Sequence, residues 1–306
     1  MHEDLLEQLR PMSFGIAYRM LGSVAEAEDV VQEALLRVLG ALRDGTHVES
    51  PRAYVATVTT RLAIDELRSA RTRRERYVGE WLPEPLLEEP AADPAKHAEL
   101  SDSLSLALLV LLESLSPEQR AVLLLHDVFD YGYREIAEIV DKSEDNVRQL
   151  AVRARRHVEE RRPRFDSSPE RRAELARRFF DAAEDGELEA LEALLAEDVT
   201  LHGDGGGKVP ALARALAGRG RVARTLLAWT RYVRHLAPEG EMRPVEVNGQ
   251  PGALLLDGDG RLMGVWALDI AGGEVRSVRS IINPDKLRHL GPLTELTAPS
   301  ANASES

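Results

Sequence analysis

Apolar residues recur at three- and four-residue spacing through the first half of the chain, which predicts helices with little else over residues 1 to about 76. Ser23-Val24-Ala25-Glu26 has the capping-box pattern and opens a helix through Leu42, with Val30, Val31, Ala34, Leu35, Val38 and Leu39 on its apolar side. Glu26, Asp29, Gln32, Glu33 and Arg37 lie on its polar side. A loop from Asp44 to Pro51 leads into a second long helix, Arg52 to roughly Tyr77, that buries Tyr54, Val55, Val58, Leu62 and Leu67. Further on, Leu104 to Leu115 is strongly apolar, and Ser116-Pro117-Glu118-Gln119 starts a helix through Phe129 with proline at its first position. Tyr133 to Val158 then reads as two helices at a tight turn. Ile136, Ala137 and Val140 form the inner stripe of the first, Asp141, Lys142 and Ser143 the turn, and Val147, Leu150, Ala151, Ala154 and Val158 the inner face of the second.

After Pro163 the pattern changes. Two amphipathic helices fill residues 169 to 196, with Leu175, Phe179 and Phe180, then Leu188, Leu191, Leu194 and Leu195, facing inward. A strand at Val199 to His202 and a helix from about Gly220 to Leu236 follow. Strands at Arg243 to Val247, Ala253 to Leu256, Leu262 to Asp269 and Glu274 to Ile282 are separated by the turn signals NGQPG, DGDG and AGG. Helices first and an antiparallel meander afterwards make an α+β domain.

The polar positions add chemistry to this scaffold. Ser143 is a good N-cap, and the outer face of the helix behind it carries Asn146, Arg148, Gln149, Arg153, Arg155 and Arg156. Amides and guanidiniums near a helix start suit base edges in a major groove, and later arginines suit phosphates. A solvated face on an ordinary helical hairpin explains the same residues, and both readings stand from this window alone. A second basic stripe holds Arg61, Arg68, Arg71, Arg73 and Arg74, more arginines than a helix C-terminus needs and enough to track a phosphate backbone. Only Tyr54 and Tyr77 flank it as aromatics.

The chain has 306 residues, room for two or three domains, and a formal net charge of −13. Charge is uneven: Arg61 to Arg76 holds six arginines against three carboxylates, and Arg148 to Arg164 seven against two. Two local basic stripes on an acidic protein fit a selective DNA binder better than a nonspecific one. Gly79 to Leu100, with four prolines and many acids, reads as an extended linker in which Trp81 and Leu82 anchor onto a neighbouring domain. There is no cysteine, which excludes disulfides and thiol chemistry, and neither a membrane span nor a signal-peptide pattern is present, so a cytoplasmic protein is expected.

SPRAYVATVTTRLAIDELRSARTRRERY resembles regions 2.3 and 2.4 of the bacterial extracytoplasmic-function sigma factors, AEAEDVVQEALLRVL resembles their region 2.1–2.2, and the hairpin resembles region 4.2. The C-terminal part is similar to the SnoaL-like members of the NTF2 superfamily. WLPEP, DGGGK and NPDKL, in that order, resemble the sigma subgroup with such a fused extension. The resemblance implies two all-α sigma domains followed by an α+β cone: region 2 over residues 1–78, an acidic linker over 79–100, region 4 over 101–165, a SnoaL-like domain over 168–290 and a disordered tail over 291–306.

Carried over by position, the resemblance implies that Asp29, Gln32 and Glu33 meet core RNA polymerase. The Asp44–Ser50 loop and Arg61, Arg68, Arg71, Arg73 and Arg74 would then open and read the −10 element. Ser143, Asn146, Arg148, Gln149 and Arg153 would read the −35 element. The shortage of aromatics implies that strand capture relies on the loop. Trp81, Leu82, Pro83, Glu84 and Pro85, with Asp204, Gly205, Gly206, Gly207 and Lys208 and with Asn283, Pro284, Asp285, Lys286 and Leu287, form an expected interdomain clasp that sets activity without a separate anti-sigma protein.

An enzyme in the cone needs a carboxylate or histidine poised in its pocket. The candidates His202, Asp204, His235 and Asp269 each have an ordinary explanation at a strand end or turn, so no catalytic residue and no cofactor is expected, and an unknown small molecule remains the pocket's open occupant. DGGGK fails the nucleotide-loop pattern, because Gly203 is one residue too close to Gly207 and Val209 replaces the hydroxyl. Its glycines suit a close backbone approach, with Lys208 placed to meet Glu84 or a neighbouring acid of the linker. Two other functions compete with a sigma factor. A ligand-responsive helix-turn-helix regulator would not need residues 23 to 77, and an isomerase or cyclase would need neither arginine stripe.

Overall fold

The computed structural model describes residues 2–44, 48–74, 76–87, 104–160 and 168–294, with backbone alone at 2 and 70–73. It divides into two compact units, Met1–Arg76 with Leu108–Arg162 and Tyr77–Ala107 with Pro163–Ser306.

In the first unit, α1 (His2–Leu21), α2 (Val24–Arg43) and α3 (Pro51–Arg74) pack on one another. The expected stripes meet in a core of Leu9, Ala34, Val38 and Val55, against which Leu35, Tyr54, Val58 and Leu62 pack. The Ser23 hydroxyl caps α2 by accepting from the Glu26 amide at 3.2 Å. Helix α4 (Leu106–Leu112) is shorter than the apolar run that contains it. The reason is a tightening of its end, where the amides of Glu113, Ser114 and Leu115 bond to the carbonyls three residues back. Helix α5 (Pro117–Asp127) opens on a complete capping box, with the Gln119 amide donating to Ser116 Oγ at 3.2 Å and the Ser116 amide to Gln119 Oε1 at 3.0 Å.

Helices α6 (Tyr133–Val140) and α7 (Glu144–Glu159) form the expected hairpin. Asp141 ends α6 in the left-handed region at φ 53°, and the Ser143 hydroxyl accepts from the Asn146 amide at 3.3 Å to start α7. The inner stripe of α6 is Ile136, Ala137 and Ile139, so Ile139 takes the place expected for Val140, which is half-buried. Positions three apart share a helix face as well as positions four apart, and the pattern alone does not choose between them.

The second unit is a six-stranded sheet in the order β2-β1-β6-β5-β4-β3: β1 (Leu195–Asp204), β2 (Leu216–Ala217), β3 (Glu241–Val247), β4 (Gln250–Leu256), β5 (Leu262–Ala271) and β6 (Glu274–Ile281). β1 runs parallel to β6 and the other pairs are antiparallel. Helices α8 (Pro169–Asp185), α9 (Leu188–Leu194) and α10 (Arg219–Leu236) supply Phe179, Phe180, Leu191 and Leu226 to a core shared with Trp266, Leu268 and Val278 of the sheet. Each such burial contributes about 1.5–3 kcal/mol relative to exposure. This is the α+β cone that the SnoaL-like resemblance implies. Leu195, expected on a helix, is extended at φ −91° and ψ 140° and begins β1 instead.

Residues 291–294, expected in the tail, are held to the sheet. The Leu262 amide donates to Pro292 O at 2.9 Å and the Thr294 amide to Leu262 O at 3.0 Å. The rest of the expected tail, 295–306, lies outside the described residues, as do the linker from 88 to 100 and positions 45–47 of the expected −10 loop. Among the described residues no helix is long and apolar enough to cross a membrane.

Candidate nucleic-acid interface and linker clasp

The outer face of α7 starts at its capped N-terminus. Asn146, Gln149 and Arg153 are exposed there, and no side-chain hydrogen bond or ion pair holds them among the described residues. Val152 sits between them at 64 % exposure, an apolar side chain on an otherwise polar face. Arg148 shares the face but is tethered to it, paired with Glu144 one turn back and lying 4.9 Å over the Tyr133 ring. Arg155 has turned away from this face. Its guanidinium donates to Asp127 Oδ2 at 3.0 Å and to the Tyr133 hydroxyl at 3.1 Å, and the Asp127 bond pushes its pKa up.

The α3 stripe is arranged differently. Arg61 donates from Nε to Ile139 O at 2.8 Å and from Nη2 to Glu138 O at 2.9 Å, satisfying carbonyls in the last turn of α6. Arg68 donates to Asp65 at 3.0 Å and to Glu118 of α5 at 2.7 Å. Burial works to raise the Glu118 carboxyl, but the Arg68 hydrogen bond, a backbone bond and nearby cations outweigh it and hold the pKa below its ordinary value. Arg74 pairs with Glu113 and donates to Leu21 O at 2.6 Å. Glu113 also accepts from buried Arg120 at 2.5 Å, and burial pushes the Arg120 guanidinium down. Arg71 and Arg73 lie on α3, with side chains outside the described set. On α2, Asp29, Gln32 and Glu33 are exposed at helical spacing with Leu36, which is 55 % exposed.

In the second unit the three short motifs meet around one carboxylate. Asp204, fully buried at the end of β1, receives the Leu82 amide at 2.8 Å, the Tyr77 hydroxyl at 2.5 Å, the Gly206 amide at 3.0 Å and the Lys286 ammonium at 2.7 Å. Lys286 is also hydrogen-bonded to Leu82 O and stands 4.2 Å over the Trp81 ring. Asn283 donates to the Tyr77 hydroxyl at 2.8 Å, and burial together with Asp204 pushes the Tyr77 phenol up. Gly206 and Gly207 turn the chain at φ 60° and 70°, and a Cβ on Gly206 would lie 2.2 Å from Asn283 Nδ2. Lys208 pairs with Asp285, whereas Glu84 or a neighbouring acid of the linker was the expected partner; the charge contact falls within the two C-terminal motifs. Pro83, Glu84 and Pro85 are buried, Leu287 is 1 % exposed, and His289 bonds to Pro85 O at 2.8 Å.

Several members of this clasp were not read from the sequence. Asn248 exchanges hydrogen bonds with Leu86, both at 2.8 Å, from a turn that reads only as an Asn-Gly hairpin signal. Glu80 pairs with His202 at 2.7 Å. His202, Asp204 and Asp269 are thereby held by Glu80, Lys286 and Arg279, while His235 is exposed. None of the four lines the apolar cavity between α10 and the sheet. No cluster able to hold a metal ion occurs among the described residues.

Comparison with known proteins addresses the whole chain. Residues 5–73 match the Sigma-70 region 2 family and residues 105–158 match Sigma-70, region 4. The chain is 39% identical to the ECF RNA polymerase sigma factor SigJ of Mycobacterium tuberculosis, over 95% of each protein. It belongs to the ECF RNA polymerase sigma factors. A probable ECF sigma factor of the same species, SigI, is 34% identical over 89% of this chain and 90% of that protein. The crystal structure of Mycobacterium tuberculosis SigJ superposes with a TM-score of 0.75 at 37% identity, covering 95% of this chain and 99% of the other. That likeness extends through the cone. Membership also accounts for α1 to α3, which a helix-turn-helix regulator acting alone does not need.

Proposed function

We propose that this sigma factor joins core RNA polymerase through the α2 face, reads the −35 element with α7 and the −10 element with α3, and initiates transcription from a restricted set of promoters. Asp29, Gln32 and Glu33 ring the exposed Leu36, a polar rim around an apolar centre that suits protein docking. Asn146, Gln149 and Arg153, with Ser143 and Arg148 beside them, face a major groove when α7 lies in it. The observation that carries the reading is the contrast between the two basic helices: the α7 face is open, whereas Arg61 and Arg68 of α3 are held by groups of α5 and α6. The state described is thus the closed one, and engaging a −10 strand requires those contacts to be exchanged for phosphates.

We take the domain limits to be 1–78, 79–100, 101–165 and 168–290, with residues 291–294 added to the last domain by their bonds to Leu262. The clasp shortens the free linker by fixing its first residues on Asp204, and so sets the spacing between the two readers without a separate anti-sigma protein. The cone performs no catalysis, since His202, Asp204 and Asp269 are held by Glu80, Lys286 and Arg279 and neither they nor exposed His235 line the cavity, and the protein works in the cytoplasm. Run-off transcription with purified core polymerase over a promoter library tests this reading. Start sites that require the protein are expected; a library without any would overturn it.

A further inference from the structure

Val152 is the apolar member of a polar face. It is 64% exposed on α7, while Val147, Ala151, Ala154 and Val158 carry the packing of the helix. Stability does not account for it: the buried stripe is complete without it, and a β-branched residue is a poorer helix former than the glutamine or arginine near it. The same branching holds a helical valine in one strongly preferred rotamer, so its two γ-methyls form a stiff knob. Residues three and four apart share a helix face, which puts Val152 in line with Gln149 one turn before it and Arg156 one turn after. Both of these are exposed. Arg148, the other neighbour one turn back, is drawn off by Glu144 and the Tyr133 ring.

We propose that Val152 reads a thymine in the −35 element, through contact of its methyls with the C5-methyl group of the base. The inference rests on the reading that α7 lies in the major groove. Base edges there offer hydrogen-bonding groups throughout and one apolar group, the thymine methyl. A protruding apolar side chain among amides and guanidiniums has that group as its match.

Its neighbours fix where the base lies. Gln149 carries the amide that suits adenine, and Arg153 the guanidinium that suits guanine. Val152 is three residues from Gln149, about 5 Å along the helix axis or one to two base-pair steps. The thymine therefore lies within about two base pairs of the bases those residues take.

The test uses the full-length chain assembled with core polymerase. Its −35 site is selected from randomised duplexes, and deoxyuridine then replaces each thymine in turn, which removes the methyl and nothing else. One replacement is expected to weaken wild-type binding about fourfold, as loss of one buried methyl does. Val152→Ser binds the thymine and uracil duplexes alike, and Val152→Ile keeps the discrimination. Thermal melting confirms that both variants are folded. A selected site with no thymine in reach, no uracil penalty in the wild type, or a penalty that persists in Val152→Ser overturns the inference. So does a loss in Val152→Ser that is equal on every duplex, which marks a protein contact. Arg153→Ala separates this failure from the wider one. If that variant still weakens binding, α7 reads the −35 element without Val152; if neither variant changes binding, the placement of α7 in the groove falls as well.

Discussion

Helices α3 and α7 each carry a run of arginines, yet they present them in opposite ways. On α7, Asn146, Gln149 and Arg153 point outward with no side-chain partner among the described residues, Arg148 is tethered to Glu144, and Arg155, turned inward, is fixed by Asp127. On α3, each arginine whose side chain is described between Arg61 and Arg74 has an acceptor within the same unit. A run of arginines states how much positive charge a helix carries, not which groups take it. The α3 contacts are also graded: the Arg68 side chain is 58% exposed, that of Arg74 17% and that of neighbouring Arg120 2%. The exposed pair can open at small cost, because such surface contacts contribute about 0–1 kcal/mol. The buried end is expected to stay closed.

The largest expected effects test that closure. Glu113→Ala strips the acceptor from buried Arg120 and from Arg74, and should destabilise the protein by about 3–5 kcal/mol in chemical denaturation. A loss of a few tenths would mean that the inner end of α3 can open like the outer one. Asp204→Ala, which leaves buried Lys286 without its carboxylate, sets the scale for a contact that never opens and should cost about as much.

Of middle size is the effect on DNA. Arg153→Ala should weaken binding of the free protein to −35 duplexes, by about 1–3 kcal/mol at one sequence if it reads a base, or evenly across sequences with a shallower salt dependence if it meets a phosphate. Arg61→Ala should leave that binding unchanged in salt-titrated anisotropy, because its donors are already taken. Equal losses from both variants would erase the distinction between the helices.

The smallest effect concerns the outer latch. Glu118→Gln should alter stability by less than about 1 kcal/mol while raising the affinity for single-stranded −10 DNA. The sign with pH follows from the carboxyl. Its folded pKa lies below the ordinary 4.5, so its contribution is present above that value and is lost as pH falls through the folded pKa. The wild type should lose this increment in acid and the glutamine variant should not.

Much of the scaffold was legible in the sequence, because caps and periodicity act locally. Ser23, Ser116 and Ser143 start their helices as read, and the four meander strands occur where they are expected, although β4 begins at Gln250, inside NGQPG, and β5 extends to Ala271. The three clasp motifs were legible as motifs, but their geometry was not. Tyr77 reads as an aromatic beside a basic stripe, and only the fold brings its hydroxyl to Asp204. Lys208 meets Asp285 and not an acid of the linker for the same reason. Which carboxylate a lysine meets depends on how two turns are set on one sheet. The closed state of α3 was equally hidden, since two of its acceptors, Ile139 O and Glu138 O, are backbone carbonyls that every residue type supplies.

The outer part of the α3 stripe, Arg61 and Arg68, is closed in the free protein and is expected to open at a promoter. The chain contains no cysteine, so Asp65→Cys with Glu138→Cys gives a clean pair of spin-label sites on α3 and α6, at side chains 71% and 74% exposed. Electron–electron distance measurement on the labelled protein should give one short, narrow distance in the free state and a longer one once core polymerase and promoter DNA are added. The same short distance in a complex that is transcribing would contradict the account.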